Sequence, residues 1–147
     1  MPSTVAPSLV IRRTYSATPQ RVYEAWTTPK LAEQFMGPYD VKATEIEMDL
    51  RTGGKFQIVM VKPDGERMRA FGVYREVKPA QKLVMTWSWE EDDPADQYET
   101  LLTLEFTPAG NGTELTLKHE QFPTEENRDN HQHGWSSIVE KLDEFLR

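Results

Sequence analysis

The sequence predicts an α+β fold: a curved antiparallel sheet of about seven strands, two short helices after the first strand, and a long C-terminal helix packed across the sheet. Two observations carry this reading. After Gly37-Pro38 and as far as Gln121, apolar residues recur with period two between short turn strings, as in consecutive antiparallel strands. Beyond Pro123, the residues His131, Trp135, Ile138, Leu142 and Phe145 recur at steps of four, three, four and three, which is one face of a helix. The 147 residues fit one domain spanning 1–147, large enough to bury a proper core.

After a loose start rich in Pro, Ser and Thr, Leu9 to Tyr15 mixes β-branched and apolar residues and reads as the first strand. Thr18-Pro19 opens a helix, with Thr as N-cap and Pro where a missing N–H costs nothing. Val22 and Trp26 share its inner face. Thr28-Pro29 repeats the signal for a short second helix bearing Leu31 and Phe35, and Gly37-Pro38 stops it.

Six further strands follow, at about Val41–Leu50, Lys55–Lys62, Glu66–Lys78, Lys82–Glu90, Tyr98–Thr107 and Thr113–Gln121. Each break between them contains Gly, Pro, Asp or Asn, the residues that turns require. No helix-length segment separates them, so parallel crossovers are excluded. Phe56, Ile58 and Met60 alternate with Lys55 and Gln57, and Met85, Trp87 and Trp89 with Thr86 and Ser88. Leu102, Leu104 and Phe106 alternate with Thr103 and Glu105, and Leu115 and Leu117 with Thr116 and Lys118. One face is therefore expected to be buried and the other wet, except in the Glu66–Lys78 strand, where Phe71 and Val73 oppose Met68, Ala70 and Tyr74 without a clean polar set. The last helix begins at a Thr124 cap followed by Glu125 and Glu126, which suit the positive end of its dipole. It should run for about 22 residues, roughly 33 Å, enough to cross the whole sheet.

Composition narrows the function. The net charge is −7, from 24 acidic and 17 basic residues, and no Lys/Arg cluster is present to neutralise phosphates. Neither nucleic acid nor an anionic membrane is expected as a partner. There is no cysteine, which removes disulfides, thiolate nucleophiles and Cys-based metal sites. Met1 to Arg13 lacks the pattern of a signal peptide, and no segment has the roughly 20 apolar residues of a membrane span, so the expected location is cytoplasmic. Four Trp, six Phe and six Met exceed what a minimal core needs, which fits a protein with a cavity to line.

Several strings carry a family resemblance. They are Ala25-Trp26-Thr27-Thr28-Pro29, Gly37-Pro38, Asp49-Leu50-Arg51-Thr52-Gly53-Gly54-Lys55-Phe56, Asp64-Gly65 and Gly72-Val73-Tyr74. Lys82 to Trp87, Leu115 to Phe122 and Gly134-Trp135 complete the set. Together they resemble the helix-grip, START-like (SRPBCC) superfamily, and within it the bacterial single-domain relatives of the activator of heat-shock protein 90 ATPase. One departure is Phe35-Met36, where that family usually has a Trp pair. The resemblance implies a pocket between sheet and C-terminal helix. It also implies binding of lipids, sterols, hormones or polyketides in most of the superfamily, and cyclase or dehydratase activity in a minority. Fold alone does not choose among these.

A curved sheet and a straight helix touch best at their ends, so a cavity is expected midway. Its predicted wall is Phe35, Phe56, Ile58, Met85, Trp87, Leu102, Leu104, Trp135 and Ile138. His119 shares the inward face with Leu115 and Leu117. It reads as a polar anchor for a ligand, as a general acid or base in a cyclase-like enzyme, or as a hydrogen-bonded strand-end histidine. His131 and His133, two apart, lack the spacing of a zinc pair, although His131 continues the Trp135 stripe toward a pocket mouth. The four tryptophans can be a stacking cage or plain core. No triad, phosphate loop or calcium loop is present, and no metal or cofactor is expected. Binding of a small apolar molecule is the primary expectation. The alternatives are the cyclase-like enzyme and a chaperone co-factor, with a chaperone or a second copy as protein partner.

Overall fold

The computed structural model describes residues 6–147; residues 1–5 of the loose N-terminal start lie outside the described part. Strand β1 (Leu9–Tyr15) leads into helix α1 (Pro19–Thr27) and the single turn of α2 (Pro29–Ala32). Strands β2 (Lys42–Met48), β3 (Lys55–Val61), β4 (Arg67–Lys78), β5 (Lys82–Trp89), β6 (Thr100–Ala109) and β7 (Gly112–Glu120) follow, then helix α3 (Glu125–Leu146). Every strand boundary falls within two residues of its sequence expectation. The seven strands form one sheet in the order β1-β7-β6-β5-β4-β3-β2, each neighbour antiparallel. This is the α+β helix-grip architecture: a sheet curled into a half-barrel around a long helix.

The caps behave as their chemistry demands. Thr18 accepts a hydrogen bond from the Arg21 amide, and Thr124 accepts one from Asn127. Thr28 makes no such side-chain bond, and α2 ends after one turn, so Phe35 lies in the turn beyond it. Phe35 and Met36 are nonetheless buried.

Two irregularities sharpen the sheet's curvature. Register shifts occur in β2 between Thr44 and Glu47, where Glu45 takes a positive φ of 47°, and in β4 between Tyr74 and Glu76. The concave face packs on α3 through Trp135, Ile138, Val139 and Leu142. Polar ties fix the helix at its C-terminal half: the Tyr15 hydroxyl donates to the Val139 carbonyl at 2.9 Å, and Arg13 pairs with Asp143 at 2.9 Å. Lys141 donates to the carbonyls of Gly37 and Tyr39, which pins the loop after α2 against the same helix.

The convex face is not uniformly wet. Val59, Thr86 and Ser88 are buried there. Arg69 lies over the Phe71 ring at 4.8 Å while bonding to Gln57 and Glu90, and Thr86 Oγ1 accepts from the Val73 amide. The expectation of a polar outer face fails at β3 and β5, where the Arg69 stem and Phe71 of β4 cover their neighbours. None of the described helices is long and apolar enough to cross a membrane.

Gly72 marks a close approach between β4 and its neighbours. A Cβ there would sit 2.0 Å from the Thr86 carbonyl oxygen and 2.8 Å from the Phe56 ring. Neither backbone nor core ring can retreat cheaply. Gly72→Ala should therefore destabilise the fold by at least about 1–3 kcal/mol, seen as a lower denaturation midpoint at unchanged slope.

Candidate functional site

Between the N-terminal half of α3 and the β3–β5 part of the sheet lies an apolar cavity of about 220 Å³. Helix α3 contributes His131, Gly134, Trp135 and Ile138, which are i, i+3, i+4 and i+7 of one helical face. Met60, Trp87 and Trp89 enter from the concave side of the sheet. Pro38, in the loop fixed by Lys141, closes the near side, and the exposed Asn130 completes the wall.

This wall is shifted from the predicted one. Trp87, Trp135 and Ile138 line the cavity as expected. Phe35, Phe56, Ile58, Met85, Leu102 and Leu104 do not; they are buried in solid core. The midway gap is filled because α1 and its following turn push aromatic rings into it. Trp26 meets Phe35 edge-on at 5.3 Å and Trp135 at 6.1 Å, and Phe35 stacks on Phe145. What remains open lies toward the N-terminal half of α3. Period-two and helical patterns show which side chains point inward, but not how much volume a neighbouring helix occupies. The one signal that could have located the cavity is Gly134, an isolated glycine within a strongly helical pattern.

His119 is fully buried and is not part of the cavity wall. Trp135 Nε1–H donates to its Nδ1 at 2.9 Å, so that nitrogen carries no proton. Its Nε2–H accordingly donates to Thr100 Oγ1 at 2.6 Å, and the Thr100 hydroxyl donates to the Trp87 carbonyl at 2.8 Å. Each group in this chain has a defined donor or acceptor role. Protonating Nδ1 would set an N–H against the indole N–H. Burial first, and then the neighbouring His131, push the His119 pKa well below its ordinary value.

His131 repeats the arrangement at the cavity edge. Its Nδ1–H donates to the Asn127 carbonyl at 2.7 Å, and its Nε2 accepts from Trp89 Nε1–H at 3.0 Å. Burial lowers its pKa, while the bond to Asn127 acts in the opposite direction. The two imidazoles lie 5.3 Å apart, edge to face, with Phe122 against both. Two Trp–His pairs thus tie α3 to the sheet while keeping both histidines neutral. Among the described residues, no group of three or more His, Asp and Glu could hold a metal ion.

Comparison with known proteins gives this geometry a family. The model described as "Activator of Hsp90 ATPase homolog 1-like protein" matches residues 16–147. The chain belongs to this family. Three solved structures share its fold at TM-score 0.85. A protein from Chromobacterium violaceum is 22% identical, covering 95% of this chain and 97% of its own. A protein described as AHSA1 from Silicibacter pomeroyi is 26% identical over the same shares. An Arthrobacter aurescens protein is 25% identical, covering 96% of this chain and 86% of its own. Comparison with curated proteins finds no match. The family's START-like helix-grip fold commonly accommodates hydrophobic ligands, and the cavity occupies the place between sheet and C-terminal helix.

The paired imidazoles make stability depend on pH. Their folded-state pKa values lie below the ordinary 6.5, so the unfolded chain takes up protons more readily as pH falls through that value. Stability should be fully present above about pH 6.5 and decline below it, before the carboxylates titrate near 4. Denaturation midpoints across this window, with a shallower decline in His131→Gln, check the assignment. The Trp135 pairing has its own signature. Trp135→Ala should cost about 3–5 kcal/mol. Trp135→Phe, which leaves His119 Nδ1 unpartnered, should cost about 1–3 kcal/mol.

Proposed function

We propose that this protein binds a small hydrophobic molecule in the cavity between α3 and the sheet. The observation that carries the reading is Gly134. It sits in the interior of a 22-residue helix, where glycine is less favourable than alanine by about 0.8–1.0 kcal/mol. No local backbone requirement explains it, since its φ lies outside the left-handed range. A Cβ at this position would meet only Pro38, at an ordinary 3.9 Å. Alanine would therefore fit and strengthen the helix, and its absence keeps space open against an apolar wall.

The wall chemistry supports the same conclusion. Three indole rings, Met60 and Ile138 surround the space, and no carboxylate or ammonium group lines it. An apolar cavity of about 150 Å³ holds benzene, whereas drug-sized ligands need about 300 Å³ or more. A volume of about 220 Å³ therefore suits a compact molecule of one or two rings, or a short branched chain. Proton transfer by His119 finds no comparable support, because both ring nitrogens are engaged and the imidazole lies outside the wall. The ATPase activation in the family description is said of the homologue that names the family.

Mass spectrometry of small molecules extracted from the purified protein should find an apolar compound in stoichiometric amount. Gly134→Leu places a branched side chain in the opening and should leave the helix intact or more stable, with the compound lost. Retention of the same compound by a folded Gly134→Leu protein would overturn the reading.

A further inference from the structure

Among the described residues, every member of the cavity wall but one sits on β3, β5 or α3; the exception is Pro38, in the loop between α2 and β2. That loop is a compact unit. The Val41 amide donates to the Pro38 carbonyl at 2.9 Å, closing a turn over Tyr39 and Asp40. Gly37 permits the close return of the chain, since a Cβ there would stand 2.1 Å from the Val41 carbonyl oxygen. The turn is held to α3 by polar bonds. Tyr39 N–H donates to Ser137 Oγ at 2.8 Å, its hydroxyl to the His133 carbonyl at 3.3 Å, and Lys141 to the Gly37 and Tyr39 carbonyls. His133, Ser137 and Lys141 follow one another at steps of four, on one stripe of the helix. Tyr39 is 63% exposed, so its ring anchors little, and Gly134 offers Pro38 no side chain to pack on. The Tyr39 φ of 50° is a left-handed conformation that a bulky residue seldom takes.

Resting on the binding reading above, we propose that the Gly37–Val41 turn is the gate of the cavity: it lifts from α3 as one piece to pass the guest, and Ser137 and Lys141 latch it shut. The rest of the wall is built to stay. Trp89 is bonded to His131 and Trp135 to His119, and α3 is tied to β1 through Tyr15 and Arg13. Opening there would break buried hydrogen bonds or part the helix from the sheet. Lifting the turn breaks bonds near the surface, which water replaces at small net cost, and it relaxes the strained Tyr39 backbone. The turn also has room to move. A surface hollow of about 690 Å³ adjoins it, bordered on the other side by Val61, Lys62 and Pro63. Segments with few buried apolar contacts and surface hydrogen bonds are the ones that open first in native proteins.

A reversible lock tests the gate. The chain has no cysteine, and a Cβ on residue 134 would stand 3.9 Å from that of Pro38, within the span of about 3.5–4.5 Å that a disulfide bridges. Pro38→Cys combined with Gly134→Cys therefore fastens the turn to the helix under oxidation and frees it on reduction. The probe is naphthalene, which is apolar and uncharged. Oxidised after loading, the double variant should keep naphthalene through gel filtration and lose it on reduction; oxidised while empty, it should take up none. In the otherwise unmodified chain, Lys141→Met and Ser137→Ala should each release naphthalene about fivefold faster, the effect of one latch hydrogen bond lost. Equal exchange in the oxidised and reduced double variant, or unchanged release in both single variants, would overturn the gate while leaving the binding reading standing. Failure of the unmodified chain to bind naphthalene would overturn the two together. Should the bridge not form, or the reduced double variant not bind, the release rates of the single variants decide.

Discussion

The bond from Trp135 to His119 is the constraint on which the rest of the site depends. It joins the middle of α3 to the end of β7, and it works only with a neutral imidazole. Thr100 on β6 and the Trp87 carbonyl on β5 extend it across two more strands. One continuous set of hydrogen bonds therefore fixes how far the helix stands from the sheet and how it is rotated. That rotation puts Gly134 and Ile138 against the cavity and Val139 and Leu142 into solid core. At the helix's other end, Tyr15, Arg13 and Arg21 hold Val139, Asp143 and Leu146. A helix tied at its middle and its C-terminal half leaves a gap beside its N-terminal half, away from the stacked Phe35 and Phe145 rings.

Much of the fold was legible because its signals are local. Period-two alternation, turn residues and the Thr18-Pro19 and Thr124 caps each depend on a few neighbouring residues, and each appears in the structure close to its expected place. The misreadings share a different cause. The burial of Val59, Thr86 and Ser88 depends on where the Arg69 side chain lies, and no periodicity encodes that. The displaced cavity has the same origin. Inward direction was correctly read for Phe56, Ile58, Met85, Leu102 and Leu104, but inward and cavity-lining are separate properties. The second is a difference between large volumes, and one ring more or less from α1 decides its sign.

His119 shows the same distinction in chemical form. Alternation placed it on the inner face, and its near-neutral ordinary pKa suggested a proton-transfer role. In the fold, its two nitrogens are spent on structure. A histidine whose nitrogens both serve fixed neutral partners is a rigid spacer, closer in function to a buried amide than to an acid or base. His131 reaches the same condition from the helix side, through Asn127 and Trp89. Placing two such groups 5.3 Å apart is tolerable only because neither is charged.

The neutrality of this cluster also bears on what the cavity can hold. The indole N–H groups of Trp89 and Trp135 and the His131 ring are fixed by their partners, so a guest of the proposed kind would meet apolar surface almost everywhere. Affinity would then come from burying the guest's own apolar area, which is non-directional and accepts many shapes. Selectivity has to come from elsewhere. The shape of the wall is the remaining source: three indole rings, Met60, Ile138 and Pro38 around about 220 Å³ would favour guests by fit and not by a polar contact.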